Sequence, residues 1–99
     1  MNLDITVKNQ NQLILNGRID TLTCQYFEDT LLPLISEEVN HLTLDCTKVN
    51  YISSTGLRVF ILADKKVQSF NGEITIIGLD DFLKNIFDIS GLTALFNFV

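Results

Sequence analysis

Asp45-Cys46-Thr47-Lys48-Val49-Asn50-Tyr51-Ile52-Ser53-Ser54-Thr55-Gly56-Leu57-Arg58 separates a β-like run from a helical one. Upstream, Leu42-Thr43-Leu44 alternates apolar and polar residues and predicts a short strand that stops at Asp45. Downstream, Leu57, Phe60, Ile61 and Val67 recur at helical spacing and predict a helix running to Ser69. Three consecutive hydroxyls and a glycine sit where that helix begins. Serine and threonine suit such a position because their oxygens accept from backbone N–H groups that have no partner inside the helix. Gly56 lacks a Cβ and so lets another backbone approach. The same N–H groups, with the helix dipole, also favour an anion. From the residues alone two readings stand: the turn caps a helix, with Ser53 the natural N-cap, or it carries a phosphate.

Working outward, Leu3, Ile5 and Val7 alternate with Asp4, Thr6 and Lys8, which predicts a strand with one buried face. Asn9-Gln10-Asn11-Gln12 is a polar turn, and Leu13 to Gly17 a second strand forming an antiparallel hairpin. Gly17-Arg18-Ile19-Asp20-Thr21 leads into a helix that Thr21 or Thr23 can cap, with Cys24, Phe27, Leu31, Leu34 and Ile35 as its apolar stripe. Pro33 predicts a kink or an early end near Leu32. Asn71-Gly72 signals a glycine-assisted helix end, and Glu73 to Gly78 reads as a strand buried on both faces. Asp80 caps a last helix with Phe82, Leu83, Ile86 and Phe87 on its apolar face, and Leu95 to Val99 reads as a short closing strand. Strands alternating with helices predict an α/β fold: a mixed, mostly parallel sheet with an antiparallel N-terminal hairpin and helices packed on it.

Ninety-nine residues, 46% of them hydrophobic, make one small domain over 1–99. The formal charge of −5 and seven scattered basic residues argue against direct nucleic-acid contact. The chain has neither a membrane-spanning run nor a secretory leader, so no membrane insertion and a cytoplasmic location are expected. Cys24 and Cys46 read as reduced thiols, and with His41 the only imidazole there is no zinc set.

Asp45 to Arg58, together with Gly17-Arg18-Ile19-Asp20 and Phe87-Asp88-Ile89-Ser90-Gly91-Leu92, resembles the anti-sigma-factor antagonist branch of the STAS domain family over nearly the whole chain. The resemblance implies the fold just described. In that family the hydroxyl immediately before the glycine is phosphorylated by a partner kinase, which here is Thr55, with Ser54 as second choice. Many phosphorylated relatives carry Asp two residues before the acceptor, whereas this chain has Ser53 and so lacks a carboxylate beside the hydroxyl. Many also continue into a further C-terminal helix for which this chain has no residues. The resemblance places Asp20 on a kinase-facing surface, with Ser53, Ser54, Gly56 and Arg58 also in the partner-binding set. Arg58, three residues after Thr55, is spaced to pair with a phosphate there.

The implied function is a non-enzymatic switch. Unphosphorylated, the protein binds an anti-sigma factor that is also a serine/threonine kinase of the histidine-kinase-like ATPase fold, and so frees the sigma factor. A metal-dependent serine/threonine phosphatase resets it. The alternative is a STAS scaffold subunit of a transport or signalling assembly, in which Thr55 contacts a partner without turning over phosphate. A receiver-like phosphoacceptor using Asp20 or Asp45 ranks last: Asp20 stands alone, and no lysine follows Ile74–Gly78 until Lys84. No nucleotide-binding glycine loop and no Ser-His-acid set is visible, so neither cofactor nor metal is expected. Asp20 and Asp45 otherwise read as strand-end carboxylates converging with Ser53–Thr55 at one sheet edge, and Arg18, Asp64, Lys65 and Lys66 as a solvated face.

Overall fold

A computed structural model describes residues 2–99. Strand β1 (Leu3–Lys8) pairs antiparallel with β2 (Gln12–Ile19). β2 runs parallel to β3 (His41–Ile52), β3 parallel to β4 (Glu73–Ile77), and β4 parallel to β5 (Asn97–Phe98). Between them lie α1 (Cys24–Leu31), α2 (Ser54–Gln68) and α3 (Asp81–Ile89). The strands follow chain order across the sheet, and the expected mixed α/β architecture is the one found.

Leu13, Leu15, Leu42, Leu44, Ile74 and Ile76 share one sheet face and have almost no exposure. Residues of the other face, such as Gln12, Ile14, Thr43, Thr75 and Ile77, are only half-buried. β4 is therefore buried on one face, not two, because the helices cover one side of the sheet. The core above that side is aromatic. Phe60 of α2 meets Phe27, Phe87 and Phe96 edge-to-face at 5.2, 5.3 and 6.2 Å, and Phe87 and Phe96 meet Phe98 at 5.6 and 6.2 Å. Phe82, expected on the same apolar face, is 70% exposed.

β3 does not stop at Asp45. It continues to Ile52, because β2 also runs past Gly17 to Ile19 and supplies its pairing partner. Two register shifts each add a residue to β3, one after Asp45 and one after Val49. The buried positions therefore run Leu44, Cys46, Val49, Ile52. Asp45 supports the first bulge: its Oδ1 accepts from Thr47 Oγ1 at 2.7 Å and from Thr47 N–H at 3.0 Å. These two bonds, aided by Lys48 and Lys8 and opposed by slight desolvation, hold its carboxyl below the ordinary value.

Gln12, Thr43, Thr75 and Asn97 lie in one register line with Lys8, so the sheet is five strands wide there. Among the described residues it narrows to two at the last pair, Ile19 with Ile52.

Most helix ends obey local chemistry. Leu31 ends α1, and Leu32–Leu34 tighten into a 3₁₀ turn around Pro33. Asp80 caps α3, accepting from Leu83 N–H at 2.8 Å. After α2, Asn71 rather than Gly72 takes the left-handed conformation (φ 58°), and Gly72 is needed because a Cβ there would strike Asn40. Asp64, expected in solvent, is 5% exposed beside Gln68, and Lys66 Nζ reaches back to Leu32 O at 2.6 Å.

Candidate functional site

β2 and β3 end side by side, and each chain then turns toward a helix. After β3, Ser53 N–H donates to Ile19 O at 2.9 Å, fixing the turn to the end of β2. Ser53 is the N-cap of α2: its backbone is extended, and its Oγ accepts from Gly56 N–H at 3.2 Å. Gly56 is buried against the same strand end. A Cβ there would lie 2.7 Å from Ile19 O and 2.8 Å from Ile19 Cγ2. The glycine is thus required by close approach and not by an unusual φ.

Thr55 opens the first turn of α2 and is half-buried at the surface. Its Oγ1 lies 2.7 Å from Ser53 Oγ and 3.3 Å from Thr21 Oγ1. Three hydroxyls therefore form a chain across two loops that are separate in sequence, ending on the Gly56 N–H. Ser54, the neighbouring hydroxyl, is exposed.

After β2, Asp20 holds the other loop. Its carboxylate accepts from Leu22 N–H at 3.0 Å and Thr23 N–H at 3.2 Å, and pairs with Arg18 Nε at 3.2 Å. Its side chain is 15% exposed. Desolvation pushes its pKa up, but Arg18 and the donors of Leu22 and Thr23 prevail and hold the carboxyl below its ordinary value. Thr23 begins α1 without a side-chain cap bond; its Oγ1 instead donates to Arg18 O at 2.8 Å and accepts from Asp20 N–H at 2.9 Å. Arg18 also stacks over the Tyr51 ring, 4.4 Å from its centroid.

The structure thus gathers Asp20, Ser53, Ser54, Thr55 and Gly56 at one end of the β2–β3 ribbon. Two expected members stand apart. Arg58 Nη1 pairs with Glu28 Oε1 of α1 at 3.3 Å, so its guanidinium is engaged there. Asp45 does not converge with the hydroxyl turn, because residues 46–52 of β3 lie between them, on the order of 20 Å at ~3.3 Å per strand residue. Sequence reading missed Thr21 as a neighbour of Thr55. The signal available was a hydroxyl directly after Asp20, and it was read only as a possible cap. Among the described residues, no group of three or more His, Cys, Asp or Glu side chains is placed to hold a metal, and no helix is long and apolar enough to cross a membrane.

Comparison with known proteins identifies the family. The STAS domain model matches residues 3–99. The chain belongs to the STAS domain family. This STAS domain is 33% identical to an anti-sigma-B factor antagonist of Listeria monocytogenes, over 96% of the chain and 87% of the relative. It is 29% identical to an anti-sigma-B factor antagonist of Staphylococcus aureus, over 96% and 91%. Its backbone is similar to the unphosphorylated form of the anti-sigma factor antagonist SpoIIAA (TM-score 0.79, 11% identity, 98% and 87% covered). It is also similar to the phosphorylated form of the Bacillus cell-fate determinant SpoIIAA (TM-score 0.72, 11% identity, 98% and 90% covered). At that identity the two structures speak to the shared fold.

Proposed function

We propose that this protein, a single STAS domain over residues 1–99, is an anti-sigma-factor antagonist that works in the cytoplasm as a phosphorylation-controlled binding switch. Unphosphorylated, it sequesters an anti-sigma factor that is also a serine/threonine kinase, and the sigma factor is released. Thr55 is the acceptor. The observation that carries this reading is the placement of Thr55: half-buried, outside the core, in the first turn of α2, with its Oγ1 between two other hydroxyls.

In the transfer step the Thr55 oxygen forms a bond to the γ-phosphorus of ATP held by the kinase. The bond from that phosphorus to ADP breaks, and the hydroxyl proton leaves to the kinase. The product carries about two negative charges at pH 7. Ser53 and Thr21 offer O–H donors at the distances already given, and the positive N-terminal end of the α2 dipole attracts the charge. The domain therefore accommodates the group without unfolding, and the change is felt by whatever docks. A dianion inside a protein interface costs several kcal/mol, which turns binding into release. The partner shifts the pathway only through its different affinities for the two forms. A serine/threonine phosphatase closes the cycle by hydrolysing the ester.

The test is a binding comparison of wild type, Thr55→Ala and Thr55→Asp against purified anti-sigma factors of the kinase type from the same organism. Alanine should bind persistently and aspartate at least about a hundredfold more weakly. Equal binding by the two variants, with intact mass never shifted by a phosphate in cells, would sink the switch and leave a scaffold role.

A further inference from the structure

We infer that Leu22 is the apolar anchor by which this domain docks its protein partner, and that the partner presents an apolar pocket to it; this rests on the switch reading above. Leu22 is 81% exposed, yet the turn that carries it is held on both sides. Its own N–H is bonded to Asp20 Oδ1 at 3.0 Å. Thr23, the next residue, is 1% exposed and bonded through its hydroxyl to Arg18 O and Asp20 N–H. Thr21, the residue before, lies 3.3 Å through its hydroxyl from Thr55 Oγ1. A large apolar side chain standing in water on a fixed turn has already lost much of the freedom that docking removes, the property of an interface anchor.

The charges around it identify the partner's chemistry. Although the chain carries −5, Arg18 and Asp20, the charged side chains that lead into this turn, are paired with each other at 3.2 Å. Such a surface does not select a polyanion or a strongly basic groove; it suits an apolar pocket. A phosphate on Thr55 would add about two negative charges next to the turn that presents the anchor. Anchor and switch are then neighbours in a single interface, linked through Thr21.

The test is a titration of the anti-sigma factor recovered with Thr55→Ala protein against wild type, Leu22→Ala, Leu22→Met, Ile89→Ala and Thr55→Asp. Leu22→Ala should weaken binding at least about tenfold with unchanged melting, and Leu22→Met should retain it. Ile89→Ala removes an equally exposed apolar side chain from α3 and should bind like wild type. The anchor is refuted if Leu22→Ala binds within about twofold of wild type, or if Leu22→Met is as weak as alanine. If Thr55→Asp binds normally while Leu22→Ala does not, the switch fails and the anchor stands; the reverse pattern spares the switch alone. If Thr55→Ala recovers no anti-sigma factor, both fall.

Discussion

Replacing Gly56 with alanine adds a single methyl group where α2 meets the end of β2. The new carbon would sit 2.7 Å from Ile19 O, whereas ordinary contact begins near 3.4 Å. The helix start must therefore recede by roughly 0.7 Å, which strains the Ser53 N–H bond to Ile19 O. Overpacking of this kind costs about 1–3 kcal/mol, and weakening that bond adds up to about 1. Alanine's better helix propensity returns only about 0.5–1 kcal/mol. The net is a loss of about 1–3 kcal/mol, or roughly 5–20 °C in Tm for a domain of this size. Thermal and urea unfolding followed by circular dichroism reads it directly. Gly91→Ala is the control: Gly91 has φ +73° and no atom within 4 Å of the added carbon, so its cost is backbone strain alone, about 1–2 kcal/mol. Because the recoil moves Thr55 away from Thr21, Gly56→Ala should also bind the anti-sigma factor more weakly, which Gly91→Ala should not. An unchanged or higher Tm for Gly56→Ala would mean that helix propensity outweighs contact, and the close approach would lose its role.

Phe60→Ala empties the hub of the aromatic core and should cost about 3–5 kcal/mol in urea unfolding, enough to leave the domain marginal; a loss below about 1 kcal/mol would deny Phe60 that position. Burial, with a smaller push from Asp45, raises the Cys46 thiol from its ordinary 9.0 to about 12. The raised pKa means that this stability is fully present below pH 9.0 and is lost as pH climbs toward 12. At pH 10.5 the loss should be about 2 kcal/mol. Cys46→Ala should flatten this alkaline limb relative to wild type when urea midpoints are compared from pH 7 to 10.5, and an unaltered slope would assign it to other groups.

Features set by a few adjacent residues were legible. Ser53 and Asp80 read as caps because capping is decided within one turn, and Pro33 stopped α1 where its missing N–H required. The far half of β3 was not legible. Two bulges broke its alternation, and Asp45, Thr47, Lys48 and Asn50 dressed a strand as a loop. Asp64 and Phe82 exchanged their expected places because helical period alone does not say how far neighbouring elements reach over a helix. In the site, Thr55, Ser53 and Gly56 could be picked out as one local motif, while the Thr21–Thr55 contact joins loops 34 residues apart and leaves no local trace. Arg58 was correctly placed on the first turns of α2, but its engagement with Glu28 depended on the packing of α1 beside it.

The taper of the sheet shapes what can reach this surface. Where five strands abreast would make a broad wall, the two found at the far end among the described residues make an apex, and both loops around Thr55 crown it. A narrow summit can be wrapped from several sides by a concave protein, so a modest number of residues touches much of the visitor. The wide base stays out of the way, anchored by its ring-on-ring interior, and holds the tip steady while visitors come and go.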